Sequence, residues 1–372
     1  MIHWNSSTTE VCLNPRMPLE MKEFLSGALK QTDRFPGHVW IATSGTSGTP
    51  KWVLLSKKAM LCSAQAVNTH LNSQRSDIWL NPLPEFHVGG LGIQARSHVS
   101  EATVVKCIFS NNRWDSRQFI EQLKSTRATL TALVPAQVFD LVACNLTAPP
   151  HLRAVIVGGG AQSQHLYEKA IALGWKLLPS YGLTECASQV ATAPLGSTNF
   201  PSLRPLPHVK LDLDQYGHLT IFSESLLTAY VYCERDQIRW HDPKINGWLT
   251  TEDHAIFENG EIKAITRGVN FIKIGGESVD VMRLERILEE EVLAAKFSFD
   301  TALIAMSDER LGYQIHLVAA TPKANLVREL TERFRQRVLP YEAIRKIHHV
   351  EAIPRSPLGK VLKEELKNLL LI

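Results

Sequence analysis

From Thr43 to Lys51 the chain reads TSGTSGTPK, hydroxyl side chains set around two glycines with a lysine at the end. Nothing in it fills a core. Glycines let backbone N–H groups turn toward an anion, hydroxyls add donors and the lysine adds positive charge, so the chemistry on offer is the holding of phosphate. The groups concerned are Thr43, Ser44, Gly45, Thr46, Ser47, Gly48, Thr49 and Lys51. The spacing is not that of G-x-x-x-x-G-K-[ST], because Thr49 and Pro50 separate Gly48 from Lys51 and Trp52 follows the lysine. A polar surface turn has the same composition. The choice between the two depends on what the rest of the chain brings to this loop.

The elements that would position it alternate. HVWIATS (38–44) reads as a strand entering the loop and KKAMLCSAQAVNTHL (57–71) as a helix. DIWLNPLP (77–84) and ATVVKCIF (102–109) read as strands, and 116–128 has the helical spacing of Phe119, Ile120 and Leu123. TLTALVPA (129–136) and LRAVIVGGG (152–160) are buried-type strands ending in loops. QHLYEKAIALG (164–174) is a helix closed by glycine, followed by the strand WKLLPSYG. Such alternation predicts a largely parallel, helix-covered sheet with ligands at the carboxyl ends of its strands. Thr43–Lys51, Gly158–Gly160 and Tyr181–Glu185 all fall at such ends, which favours phosphate over a plain turn. Beyond them, 218–231 and 247–267 are alternating and hairpin-like, with Asn259-Gly260 as a turn dipeptide. A final α+β unit of about 100 residues starts near Arg267–Phe271.

Bulk properties are those of an ordinary globular protein: 372 residues, 44% apolar and 21% charged. A net charge of +3 is too mild for nucleic acid as a partner. The six cysteines are scattered with no C-x-x-C pair, pointing to reduced thiols in the cytoplasm. The opening residues lack a signal-peptide pattern. No stretch reaches the roughly 18 apolar residues of a membrane span.

Seven stretches in order resemble the adenylate-forming superfamily of acyl-CoA synthetases, adenylation domains and luciferases. TSGTSGTPK resembles its phosphate loop, PLPEFHVGGL (82–91) its second motif, VGGGA (157–161) its adenine loop and YGLTE (181–185) its magnesium motif. WLTTED (248–253) resembles its ribose motif, ITRGVNFIKIGGESV (265–279) its hinge and glycine loop, and PRSPLGK (354–360) its C-terminal lysine motif. The resemblance implies an α/β fold. A large N-terminal domain, 1–267, would combine helix-covered, mostly parallel sheets with a β-rich subdomain. A small α+β domain, 268–372, would move on a hinge.

It also implies substrates and roles. A carboxylic acid would attack the α-phosphate of ATP, and the adenylate would then pass its acyl group to CoA. Gly158, Gly159, Gly160 and Ala161 would take the adenine, Tyr181 and Gly182 would contact the nucleotide, and Gly182 would also border the acid substrate. Thr184 would donate to the α-phosphate, Glu185 with Thr46 would hold Mg2+, and Asp253 with Arg267 would hold the ribose. Lys360 would bridge carboxylate and α-phosphate, and Gly275 and Gly276 would line the path of the pantetheine arm. Each has a plainer reading as a solvated charge or an ordinary turn.

The acid is addressed by FHVGGLGIQAR (86–96), which resembles the o-succinylbenzoate–CoA ligases of menaquinone synthesis. His87 would gate the acyl pocket, and Arg96 would hold the distal carboxylate of a diacid, unless it is simply a surface arginine on a helix. Other acyl- or aryl-CoA ligases, a stand-alone adenylation enzyme and a non-catalytic nucleotide-binding relic remain as alternatives. The chain departs from the family pattern where only 42 residues precede Thr43, suggesting that much of the first subdomain is missing. It departs again at Glu252, Thr266 and Val269. Whether it is a monomer or a homodimer is open.

Overall fold

The computed structural model describes residues 2–15, 32–43, 51–111, 113–160, 162–234, 237–267, 271–274, 277–308, 311–338 and 341–370. The chain divides into two compact units. The first holds Met1–Leu133, Thr147–Gly159 and Gly174–Ile265, and the second Val134–Leu146, Gly160–Leu173 and Thr266–Ile372.

In the first unit, strands β1 (Glu10–Cys12), β2 (His38–Thr43) and β3 (Lys51–Ser56) open a five-stranded sheet. Alternation sends Val39, Ile41, Val53 and Leu55 to one core and Trp40, Trp52 and Leu54 to another, so both faces are buried. The β2–β3 pair is an antiparallel hairpin. The expected glycine loop therefore joins two antiparallel strands instead of leading from a strand into a helix. Helix α1 (Lys57–Leu71) matches its predicted span. Ser56 Oγ caps it by accepting from the Ala59 N–H, and Asn72 ends it in a left-handed conformation.

Lys57, the first residue of α1, is 4% exposed. Its ammonium donates to His3 O at 2.8 Å, Ser6 O at 3.2 Å, Ser6 Oγ at 3.0 Å and Thr8 Oγ1 at 3.3 Å. Those bonds compensate the burial of the charge and fasten the residues that lead into β1.

β4 (Ile78–Asn81), β5 (Thr103–Lys106), β6 (Leu130–Leu133), β7 (Ala154–Val157) and β8 (Leu177–Leu183) form the expected parallel sheet, in the order β8-β7-β6-β4-β5. Antiparallel β9 (Ser188–Thr192) and β10 (Arg204–Pro205) extend it. Helix α2 (Val88–Ser100) carries no clear helical period in the sequence, because three glycines interrupt it. One of them, Gly90, is required by packing: an added Cβ would strike the Pro84 carbonyl oxygen. α3 (Ser116–Thr126) buries Phe119, Ile120 and Leu123 as its spacing predicts.

A four-stranded antiparallel sheet follows, of β11 (Val209–Leu213), β12 (His218–Ser223), β15 (Trp248–Glu258) and β16 (Glu261–Arg267). Asn259 and Gly260 turn the last hairpin with φ of 52° and 77°, as the dipeptide predicts. The hairpin β13 (Ala229–Glu234) and β14 (Gln237–His241) returns to the first sheet beside β3. One core joins residues of β2, β3, α1, α2, β9, β12 and β15.

The second unit includes α4 (Pro135–Ala143), which starts at a proline suited to a first helical turn, and α5 (Gln164–Ala172). Its sheet holds β17 (Phe271–Ile274), β18 (Glu277–Asp280), β19 (Asp300–Asp308), β20 (Gly312–Ala320) and β21 (Ile344–His349). α6 (Val281–Ala294) and α7 (Ala324–Arg335) pack on one face through Leu284, Leu288, Leu330 and Phe334. α8 (Lys363–Leu370) places Leu366 in a separate core with Ala302, Ile304 and Val318. No helix among the described residues is long and apolar enough to cross a membrane.

Candidate active site

Thr43 and Lys51 are cross-strand partners, so the two ends of the predicted phosphate loop stand side by side. Ser44, Gly45, Thr46, Ser47, Gly48 and Thr49 lie outside the described residues. The Lys51 ammonium sits 3.8 Å from the centroid of the Tyr230 ring, a cation–π contact. Tyr230 in turn donates its hydroxyl to Glu185 Oε1 at 2.9 Å. Burial, and then the Glu185 charge, push the Tyr230 phenol well above its usual pKa, so it remains a donor. Thr184 and Glu185 lie in a short 3-10 turn, Thr184–Cys186, directly after β8. The Leu227 N–H holds the Glu185 carbonyl at 2.7 Å.

At the end of β8, Tyr181 donates to Asp253 Oδ2 at 2.7 Å, and Asp253 is only 5% exposed. Burial first, then Asp253, raises the Tyr181 pKa. The Thr251 hydroxyl braces the Asp253 backbone, accepting from its N–H at 3.1 Å. Gly158 extends β7, donating its N–H to Leu133 O at 3.1 Å. A Cβ there would press on Ser180 Oγ. Gly159 has a φ of 80°, which favours glycine. Gly160 belongs to the second unit, and Ala161 lies outside the described residues.

Gly182 lies against β9 so closely that an added Cβ would run into the Ser188 carbonyl oxygen. Ser188 itself is held at a φ of 112°, a strained value for a residue with a side chain. Its Oγ accepts from Arg96 Nη2 at 3.1 Å. Arg96 is 2% exposed, within α2, with its guanidinium carbon 5.7 Å from the centroid of the Trp79 ring. Gly92, one turn earlier, leaves room for it. Burial pulls the Arg96 pKa down to about 9. Among the described residues no carboxylate faces this guanidinium. The surface-helix reading of Arg96 is thereby corrected: the side chain points into the interior.

His87 stands at the start of the same helix, its ring 4.6 Å from that of Phe86. Nε2 is buried with no hydrogen-bond partner among the described residues. Burial lowers its pKa to about 4, so it is neutral near pH 7.

In the second unit, Lys360 follows a tight turn. Gly359 donates to Ser356 O at 2.8 Å with a φ of 79°, and the Ser356 N–H donates to Lys360 O at 2.7 Å. Arg355 clamps this turn, donating to both Asp300 oxygens at 2.9 and 2.6 Å and to Gly359 O at 2.6 Å. Arg267 ends β16. Gly275, Gly276 and Val269 lie outside the described residues.

Tyr230, Ser188 and Trp79 are site residues that the sequence does not reveal. AYVYCE alternates like any strand, and nothing local ties Tyr230 to Glu185, 45 residues earlier. As a metal ligand, Glu185 suits a hard ion. Mg2+ is usually bound by one or two carboxylates together with substrate phosphates and water. The Glu185 carboxylate, steadied by Tyr230, is the kind of single hard oxygen donor that this sparse mode uses.

Residues 37–218 match the AMP-binding enzyme family. A 2-succinylbenzoate–CoA ligase of Bacillus licheniformis is 27% identical over 341 residues, covering 87% of this chain and 68% of its own. The structure resembles an o-succinylbenzoate CoA synthetase from Bacillus subtilis in complex with its acyl-adenylate intermediate, with a TM-score of 0.72 and 24% identity, over 88% of this chain and 68% of that one. It also resembles an anthranilate CoA ligase bound to anthranoyl-AMP, with a TM-score of 0.73 and 18% identity, over 89% of this chain and 67% of that one. Residues 37–218 therefore match an AMP-binding enzyme domain, and β3 and β8, which carry Lys51 and Tyr181, lie within that stretch.

Proposed function

We propose that the chain activates o-succinylbenzoate with ATP and transfers the acyl group to CoA. The observation that carries the choice of acid is Arg96: a buried guanidinium facing one neutral hydroxyl and an aromatic ring. A buried cation without a counter-charge is costly, and the second carboxylate of a diacid would supply that charge in bidentate geometry.

In the first half-reaction a carboxylate oxygen of the acid attacks the α-phosphorus. The bond from that phosphorus to the bridging oxygen breaks, and pyrophosphate leaves. Charge gathers on the phosphate oxygens, so positioning and electrostatic stabilisation dominate. Residues 43–51 hold the departing phosphates and Thr184 donates to the α-phosphate. Glu185, with Thr46, would hold Mg2+, which would supply positive charge against the phosphates when bound. Asp253 and Arg267 take the ribose hydroxyls, while Tyr181, oriented by its bond to Asp253, and Gly158–Ala161 take the adenine. Gly182 keeps the acyl chamber open beside Ser188, and neutral His87 borders it. Lys360 would bridge carboxylate and α-phosphate.

In the second half-reaction the CoA thiolate attacks the acyl carbon and AMP leaves. Gly275 and Gly276 would line its approach, and residues 268–372 would be the domain that moves. The thiols of Cys12, Cys62, Cys107 and Cys186, none in a disulfide among the described residues, support a cytoplasmic setting.

ATP–pyrophosphate exchange over a panel of acids tests the reading. Exchange with o-succinylbenzoate and none with benzoate, anthranilate or fatty acids is expected. Arg96→Ala is expected to raise the KM for the diacid alone. Exchange with anthranilate or benzoate, equally impaired by Arg96→Ala, would select an aryl monoacid instead, the second reading favoured by the likeness to the anthranilate ligase fold. ATP binding without exchange for any acid would select a nucleotide-binding relic. Comparing free CoA with carrier-bound pantetheine as acceptor settles the thiol.

A further inference from the structure

Lys51 closes TSGTSGTPK, Glu185 closes YGLTE, and one side chain outside both stretches touches them together. The Tyr230 hydroxyl donates to Glu185 Oε1 at 2.9 Å, and its ring lies 3.8 Å, from centroid to Nζ, against Lys51. The strand register accounts for the double contact. Tyr230 stands opposite Val53 across the β13–β3 pair, and Lys51, two residues before Val53, shares that face of β3. The ring packs against the core that holds Val53 and Cys186, which limits its freedom. The Leu227 N–H, three residues before Tyr230, donates to the Glu185 carbonyl at 2.7 Å. One segment thus fixes both ends of the glutamate.

We propose that Tyr230 is a positioning residue of the adenylation half-reaction, aiming the Glu185 carboxylate at Mg2+ through its hydroxyl and the Lys51 ammonium at the nucleotide phosphates through its ring. The proposal rests on the nucleotide reading of the site given above. A carboxylate that ligates a metal works best when a second group fixes its orientation, and losing such a partner commonly costs 10–100-fold in metal affinity. A lysine at the root of a glycine-rich loop has four rotatable bonds, and a ring beneath it restricts where the charge can sit.

The two contacts separate chemically. Tyr230→Phe keeps the ring and deletes the hydroxyl, whereas Tyr230→Leu removes both. The test uses the full chain without acid, so that no turnover occurs, and follows ATP binding by calorimetry at graded Mg2+. Tyr230→Phe is expected to raise the Mg2+ concentration for half-maximal ATP binding about tenfold, with ATP affinity at saturating Mg2+ unchanged and the thermal midpoint near wild type. Tyr230→Leu is expected to weaken ATP at saturating Mg2+ as well, by about two- to fivefold. A tyrosine that only fills space would leave the Mg2+ dependence of Tyr230→Phe where the wild type has it, and that result overturns the assignment alone. Wild-type protein that binds no ATP at any Mg2+ concentration overturns the nucleotide reading, and the assignment with it.

Discussion

On the proposed reading, Arg96 joins specificity and stability in one side chain. Its charge is sealed among Trp79, Gly92 and Ser188, and a buried cation without a counter-charge is a burden on the fold. Arg96→Met keeps the length and removes the charge. Its thermal midpoint without ligand is expected to equal or exceed that of the wild type, while the KM for the diacid rises on the order of 10²-fold. A lowered midpoint would mean that the guanidinium is already compensated. Two histidines give a second test. Burial lowers both His87 and His208 from 6.5 to about 4. As pH falls below 6.5 the unfolded chain takes up protons that the folded one refuses, so stability drops progressively toward pH 4. The loss is roughly 3 kcal/mol per ring at most. His87→Phe is expected to flatten part of that acid limb in urea titrations run between pH 7 and 4.5.

At the level of elements, the sequence is most legible where caps and periods agree. α1 spans 57–71 as read, because Ser56 and Asn72 punctuate it. Asn259-Gly260 turns its hairpin because both residues accept left-handed backbone. α2 escapes such reading: its glycines lower helical propensity and are there for close packing against residues 83–84 and beside Arg96. The PRSPLGK turn shows composition and tertiary structure sharing a task. Gly359 supplies the bend, but its fixing comes from Asp300, 55 residues before Arg355 in sequence. The pair is partly exposed, so Asp300→Ala is expected to change stability by less than about 1 kcal/mol. It is expected to slow adenylate formation several-fold and to spare thioester formation from supplied adenylate. Lys360→Ala is expected to do the same more severely, by about 10²–10³. Equal slowing of both half-reactions by Asp300→Ala would assign the clamp to general folding.

For the molecule as a whole, the order of motifs conveys the family, whereas the contacts that make a site of them are long-range. Tyr181 meets Asp253, Tyr230 meets Glu185 and Arg96 meets Ser188 only after strands from separate sheets share one core. No window of sequence contains either partner's address. The same core holds Trp4, and Lys57 grips the backbone at His3 and Ser6. Lys57→Ala, which strands those carbonyls, is expected to cost about 1–3 kcal/mol in chemical denaturation. Residues 3–12 should then behave as a rivet and not as a loose end. Their amides are expected to exchange with deuterium about as slowly as those of the helix that Lys57 begins, and a fluorescent label at Ser6 should report global unfolding instead of local fraying.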